Sequence, residues 1–254
     1  MARTVLALVA IAALVYIALC LILFLVQRSF VYYPQARSVG DDGPTLTLSV
    51  GRERILINTR PRPGADAVIY FGGNAEDVSR SMPTLAEAFL ERSIFAVNYR
   101  GYGGSTGSPS ETGLIADALA SFDYVHADHP HIIVIGRSLG SGVAIHIASE
   151  RPVERLVLIT PYDSLLTIAA SQFGFFPLRW LMLDKFESWR YAPKIKAPTL
   201  LIAAQNDEVI PYASTKSLYD RFLPSVASMT LIPGVGHNGI SESLEYIPAI
   251  RGTP

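Results

Sequence analysis

The sequence predicts an α/β fold, a mostly parallel central sheet covered by helices on both faces, and three observations carry that expectation. From residue 67 onward, short apolar runs alternate regularly with longer helical segments. The runs, such as Ala67 to Phe71 and His131 to Ile135, are apolar almost throughout rather than at every second position, the pattern of strands buried on both faces. Gly136-Arg137-Ser138-Leu139-Gly140 joins one such run to an alanine-rich helical segment through a tight turn with serine at its apex.

The elements follow in order. Val5 to Val26 is an unbroken apolar run between Arg3 and Gln27-Arg28, long enough as a helix to cross a hydrocarbon layer of about 30 Å. It is expected to be a single-pass amino-terminal membrane anchor over residues 1–28. The competing reading is a cleaved signal peptide, but those have apolar cores of about 7 to 15 residues and a small-residue cleavage site, which Gln27 to Tyr33 lacks. Phe30, Tyr32 and Tyr33 suit the interfacial aromatic belt. Arg3 and the amino terminus balance Arg28 and Arg37, so positive charge favours neither orientation.

Residues 29–44 read as a linker, with Gly40-Asp41-Asp42-Gly43 as its turn-rich part, and 45–254 as one domain. Thr45 to Val50 and Glu53 to Asn58, separated by Gly51-Arg52, predict an antiparallel hairpin at a sheet edge. Strands are then expected at 67–71, 93–98, 131–135, 155–160, 199–203 and 229–232. Helices are expected at 83–91, 110–127, 139–150, 213–222 and 241–250. Residues 161–193 break the rhythm with Leu165 to Ala170, Phe173-Gly174-Phe175-Phe176-Pro177 and Trp180 to Leu183. Their apolar character fits either a crossover helix packed into the core or a small cap that walls an acyl pocket or leans on a bilayer.

The chain has 254 residues, half of them hydrophobic, and a formal charge of −1. That suffices for one full-sized domain, and no basic stripe points to nucleic acid. Its one cysteine, Cys20, lies inside the apolar run, which leaves the domain without disulfides or a thiol nucleophile. The glycine-rich loop Asn98 to Ser105 has neither the lysine of a phosphate-binding loop nor dinucleotide spacing, so it reads as structural. No cluster has metal-ligand spacing, and no cofactor or metal is expected.

The chemistry centres on Ser138. A serine hydroxyl needs a histidine base, itself oriented by a carboxylate. His237 follows the strand ending at Ile232 and lies on the same rim of the sheet as Ser138. His126, His129 and His131 fall at the opposite rim, and His146 two turns into the following helix. Asp207, just past the strand 199–203, is the favoured acid. Asp163 also follows a strand end, where it is expected to cap the next helix instead, and Glu208 is a lesser candidate. The backbone N–H of Leu139, at a helix start, is one expected oxyanion donor. The second is the N–H of Asn74, supported by Gly73 in Phe71-Gly72-Gly73-Asn74-Ala75.

Together these residues resemble the α/β-hydrolase superfamily, in particular its membrane-anchored serine hydrolases, which include α/β-hydrolase domain-containing proteins of animals and their bacterial relatives. The resemblance covers nearly the whole chain: the apolar helix followed by Tyr32-Tyr33-Pro34, then Gly73-Asn74-Ala75, Tyr99-Arg100-Gly101-Tyr102-Gly103, Gly136 to Gly140, and the Asp207 and His237 loops. It implies the fold, the triad Ser138, Asp207 and His237, and oxyanion amides at Asn74 and Leu139. Gly72 departs from it, standing where many relatives have histidine, and altered loop packing is expected there. The family spans esterases, thioesterases acting on acylated proteins, lipases and aminopeptidases. The expected function is therefore a membrane-anchored serine hydrolase of carboxylic esters or thioesters, acting on a small-molecule or acylated substrate. A serine aminopeptidase and a non-catalytic membrane-tethered scaffold are its rivals. Ser138 excludes hydrolases that need aspartate at the elbow.

Overall fold

The computed structural model describes residues 1–38 and 44–252; the Gly40-Asp41-Asp42-Gly43 part of the expected linker lies outside the described residues. Helix α1, Ala2–Val31, has no buried residue over its 30 positions and is long and apolar enough to cross a membrane. It runs past the expected boundary at residue 28. The chain after it is not a loose tether: Tyr33 donates its N–H to the Asn74 carbonyl, Gly103 donates to the Gln35 carbonyl, and the Ser38 hydroxyl reaches Asp77. Tyr32 departs furthest from the interfacial expectation. Only 4% of it is exposed, and it belongs to the main core, whereas Phe30 and Tyr33 remain exposed.

The remaining strands are β1 (Thr45–Val50), β2 (Glu53–Arg60), β3 (Asp66–Phe71), β4 (Ser93–Val97), β5 (His131–Arg137), β6 (Arg155–Ile159), β7 (Thr199–Ala204) and β8 (Ala227–Ile232). They form one sheet in the order β1-β2-β4-β3-β5-β6-β7-β8. The β1–β2 hairpin is antiparallel at the edge and β2 pairs antiparallel with β4; every later pairing is parallel.

Side chains alternate along the inner strands and still find apolar partners on both faces, whereas the edge strand β1 leaves every second position exposed. Ala67, Ile69 and Phe71 of β3 and Ile132 and Val134 of β5 join one core. That core packs against α3 (Glu111–His126) and α4 (Leu139–Glu150) through Leu114, Phe122, Val143 and Ile147. Val68, Tyr70, Ile133 and Ile135 face the other way, toward Leu85 of α2 (Met82–Ala88). Six parallel strands thus point their carboxyl ends at one rim, which is where loops with chemistry collect.

Residues 161–193 form an arm. It contains α5 (Leu165–Gln172) and α6 (Leu178–Leu181), followed by two short 3₁₀ turns. Ile168 is the one residue of α5 that is buried, while Phe175 and Trp180 are 93% and 83% exposed. The arm leans on α1: the Tyr16 hydroxyl donates to the Phe175 carbonyl at 2.8 Å, and Gln27 bonds the backbone of Leu181 and Leu183.

Helix α7, Tyr212–Tyr219, follows β7. The expected closing helix 241–250 is instead a 3₁₀ turn, Ile240–Glu242, and a separate α8, Tyr246–Arg251. Pro248 is the reason. Without an N–H it fits only the first turn of a helix, so α8 starts just ahead of it.

Candidate active site

Ser138 stands between β5 and α4 with φ 50° and ψ −118°, a conformation that costs a non-glycine residue on the order of 1–3 kcal/mol. Its surroundings hold it there. Its N–H donates to the Ile159 carbonyl at 2.8 Å, and its carbonyl accepts from the N–H and hydroxyl of Ser141. The flanking glycines are required by contact: a Cβ at Gly136 would lie 2.3 Å from the Gly140 carbonyl oxygen, and one at Gly140 would lie 2.2 Å from that of Phe71. The helix can therefore start hard against the sheet, which lifts the serine hydroxyl above the rim.

His237 and Asp207 arrive from neighbouring strands. Ala204 pairs with Ile232, so the loops after β7 and β8 leave the sheet side by side. His237 Nε2 lies 2.9 Å from Ser138 Oγ, and its Nδ1 lies 2.9 and 3.0 Å from the two Asp207 oxygens. Because the carboxylate only accepts, Nδ1 carries the imidazole proton and Nε2 accepts the serine hydroxyl. Asp207 is aimed by the N–H groups of Val209 and Ile210, which donate to Oδ1 at 2.9 and 2.7 Å. The side chains of His237 and Asp207 are 7% and 5% exposed, so this chain of hydrogen bonds is shielded from water.

The other candidates are engaged elsewhere. Glu208 accepts the backbone N–H of His237 at 3.0 Å and so positions that residue from behind. Asp163 bonds Ser214 of α7, and it does not cap α5 as expected: the hydroxyl of Ser164 accepts the Thr167 N–H there. An extended Ser164 is the residue whose short side chain reaches the free amides of the first turn. His131 pairs with Asp66 and His146 with Glu150, both away from Ser138.

Asn74 and Leu139 both border the cavity at Ser138, and among the described residues neither backbone N–H donates to a protein acceptor. The Asn74 loop is held from several sides. Its carbonyl accepts from the Tyr102 hydroxyl at 2.8 Å, its side-chain amide donates to the Val31 carbonyl, and the Tyr99 hydroxyl donates to the Gly72 carbonyl.

Sequence reasoning missed a second network. Glu76 accepts from the Gly73 N–H and Arg137 on one oxygen, and from Tyr70 and Ser81 on the other, at 2.6–3.1 Å. Burial and the neighbouring Glu76 push the Tyr70 phenol well above its ordinary value. For Arg137, burial opposes the charge but the acidic groups around it, Tyr70 and Glu76 first, outweigh burial and raise it. Glu76 and Arg137 are far apart in the chain, and no spacing rule connects them; the one signal the sequence offers is an arginine inside the serine motif.

Two cavities meet at Ser138 and Asn74. One, of about 310 Å³, is apolar and runs from Leu139 to α5, α6 and the end of α1, with Leu23, Gln27, Phe30 and Val31 in its wall. The other, of about 410 Å³, is polar and contains Glu76, Arg80, Arg137 and His237. Among the described residues no group of three or more His, Cys, Asp or Glu side chains is placed to hold a metal ion.

The comparisons with known proteins agree with this architecture. Residues 66–184 match the family model described as alpha/beta hydrolase fold. An uncharacterized protein of Mycobacterium tuberculosis is 34% identical over 91% of this chain and 87% of its own length. The alpha/beta hydrolase domain-containing protein aho-3 of Caenorhabditis elegans is 33% identical over 81% of this chain and 63% of its own. Among solved structures, the Pyrococcus furiosus esterase Pf2001 superposes with a TM-score of 0.70 at 18% identity, covering 87% of this chain and 97% of that one. These matches support a hydrolase. From the order of its strands, the turn that carries Ser138 and these relatives, the chain belongs to the α/β-hydrolase superfamily.

Proposed function

We propose that the protein is a membrane-anchored serine hydrolase that cleaves carboxylic esters or thioesters through an acyl-enzyme. The observation that carries this is the continuous line of hydrogen bonds from Ser138 Oγ through His237 to Asp207, each link 3.0 Å or shorter. His237 takes the serine proton as Oγ attacks the substrate carbonyl, and Asp207 stabilises the resulting imidazolium. The N–H groups of Asn74 and Leu139 hold the oxyanion, a contribution worth about 10²–10³ in rate for one donor. His237 then protonates the departing alcohol or thiol. Water, deprotonated by the same imidazole, splits the acyl-serine to release a carboxylic acid and restore the hydroxyl.

The apolar cavity supports an acyl group on the α1 side of Ser138, with the leaving group in the polar cavity. Retention of α1 is supported by its part in the domain. Arg28 Nε lies 2.9 Å from Asp184, the Val31 carbonyl accepts from Asn74, and four α1 residues wall the cavity. Cleavage after residue 31 would open that wall.

An aminopeptidase needs an unengaged carboxylate to receive the substrate amine. The acids of the polar cavity have partners already: Glu76 as above, and Asp77 with Ser38 and Ser79. A non-catalytic scaffold would have no use for a shielded Ser138–His237–Asp207 line. The test is labelling with a fluorophosphonate probe and turnover of p-nitrophenyl esters. Ser138→Ala is expected to abolish labelling and to lower kcat/KM by at least about 10³-fold. Labelling that persists in Ser138→Ala overturns the nucleophile, and an intact protein that neither labels nor turns over any ester revives the scaffold.

A further inference from the structure

The arm between Leu165 and Leu183 meets α1 far from the helix end that joins the domain. Tyr16 bonds the Phe175 carbonyl, and its ring stacks on Phe176 with centroids 6.0 Å apart and planes 6° from parallel. Tyr16 precedes Arg28 by twelve residues, about 18 Å along the axis at 1.5 Å per residue. Polar residues first appear at Gln27-Arg28, so these mark the membrane surface, and 18 Å below it is roughly the middle of a 30 Å hydrocarbon layer. Whatever depth α1 occupies, the tip of the arm shares it.

The composition of the arm fits that depth. Phe173-Gly174-Phe175-Phe176-Pro177 carries no charge, and its Phe175 side chain is almost wholly exposed. In water that apolar exposure is unfavourable; in acyl chains it is not. Charges appear only higher up. Arg179 lies on α6, between the level of Phe176 beside Tyr16 and that of Leu181 beside Gln27, within snorkelling reach of the surface. Asp184 and Lys185 follow at the level of Arg28. The apolar cavity lies between these two elements: Leu23 and Phe30 of α1 face Leu178, Leu181 and Met182 of the arm, and Ser138 is at its inner end. Leu23 is five residues below Arg28, already in the acyl layer.

We propose that the arm is a second membrane-inserted element, and that the cavity between it and α1 admits the acyl chain of a bilayer lipid ester sideways from the adjoining leaflet to Ser138. The proposal rests on the anchored serine hydrolase reading and adds to it where the substrate resides and by what route it arrives. The substrate's carbonyl then meets Ser138 near the membrane surface, with its headgroup in the polar cavity beside Arg137.

Depth can be measured without catalysis. Full-length Ser138→Ala carrying Trp180→Phe and Trp189→Phe has no tryptophan, and Phe175→Trp then places one at the tip. In phosphatidylcholine vesicles, bromines at mid-chain positions are expected to quench it at least twofold more than bromines near the headgroup, and aqueous iodide to leave it unchanged. Quenching by iodide, or strongest quenching by the shallow bromines, overturns the insertion. The route is read in the active protein. Phe175→Asp, at a side chain that lines neither cavity, is expected to lower hydrolysis of a long-chain lipid ester held in vesicles by at least tenfold. The same variant is expected to turn over soluble p-nitrophenyl acetate within twofold of the unaltered protein. Equal rates on the vesicle substrate overturn lateral access. A failure of Ser138→Ala to lose activity would instead strike the hydrolase reading and leave the depth result standing, so the two failures are told apart.

Discussion

At Gly72 the departure from the family pattern has a structural counterpart. A Cβ there would lie 2.7 Å from Val78 Cγ1 and 3.0 Å from the Glu76 carboxyl carbon. The volume that a side chain at residue 72 would take is filled by Val78 and Glu76, and Glu76 in turn holds the Gly73 N–H and Arg137 beside the Asn74 loop. Gly72→Ala is therefore expected to destabilise the protein by about 1–3 kcal/mol through overpacking. It is also expected to lower kcat more than it raises KM, because it would shift the Asn74 amide, the proposed oxyanion donor. Thermal denaturation together with ester kinetics checks both. Ser138, His237 and Asp207 were each visible as residue types after apolar runs. Glu76 and Arg137 were not, because a hydrogen bond between residues so distant in sequence leaves no local pattern.

Asp184 ties three elements together. One oxygen pairs with Arg28 of α1 at 2.9 Å and the other accepts the Glu111 N–H at the start of α3 at 3.0 Å, while Asp184 itself is 5% exposed at the foot of the arm. Asp184→Ala should cost about 1.5–3 kcal/mol, the range for hydrogen bonds to a charged group, and should be seen as a lower Tm. Because the same change removes one of the ties between the arm and α1, leaving those of Tyr16 and Gln27, the preference for long-chain over short-chain esters should fall in the same variant, and an unchanged chain-length profile would separate the tie from the cavity. Helices read from periodicity at 110–127 and 139–150 matched closely, since both carry long apolar faces. The closing helix did not, because Pro248 counts as one residue in a periodicity and as a required helix start in three dimensions. Tyr32 was misplaced for a related reason: an aromatic beside an apolar span suits a membrane surface and a protein core equally, and only packing chooses.

For the molecule as a whole, α1 is a long helix with no buried residue that nonetheless supplies part of the wall of the apolar cavity. An intact helix of this length is expected to keep the full chain in the membrane fraction through alkaline carbonate and high salt, and to release it only with detergent. Release by carbonate would count against a spanning helix. Intact mass that begins at residue 1 or 2 would separate an anchor from a cleaved leader. The sheet order is what allows one molecule to combine both parts. With β5 flanked by β3 and β6, the Asn74 loop and the serine turn leave adjacent strands, and the arm after β6 falls directly over them toward α1.

The alternation of apolar strands and helices, the glycine spacing around Ser138 and the long apolar run at the amino terminus are local properties, and the sequence by itself determined the fold class and the candidate residues from them. Each is set by the few neighbours within a turn or a strand, where backbone sterics and hydrophobic periodicity act. Tertiary structure alone decided which carboxylate meets His237, how Glu76 and Arg137 brace the Asn74 loop, where Tyr32 goes, and that the arm stands beside α1. Those outcomes depend on strand order and on contacts between residues far apart in the chain, and such contacts are fixed only when burial and hydrogen bonding are satisfied for the whole chain together.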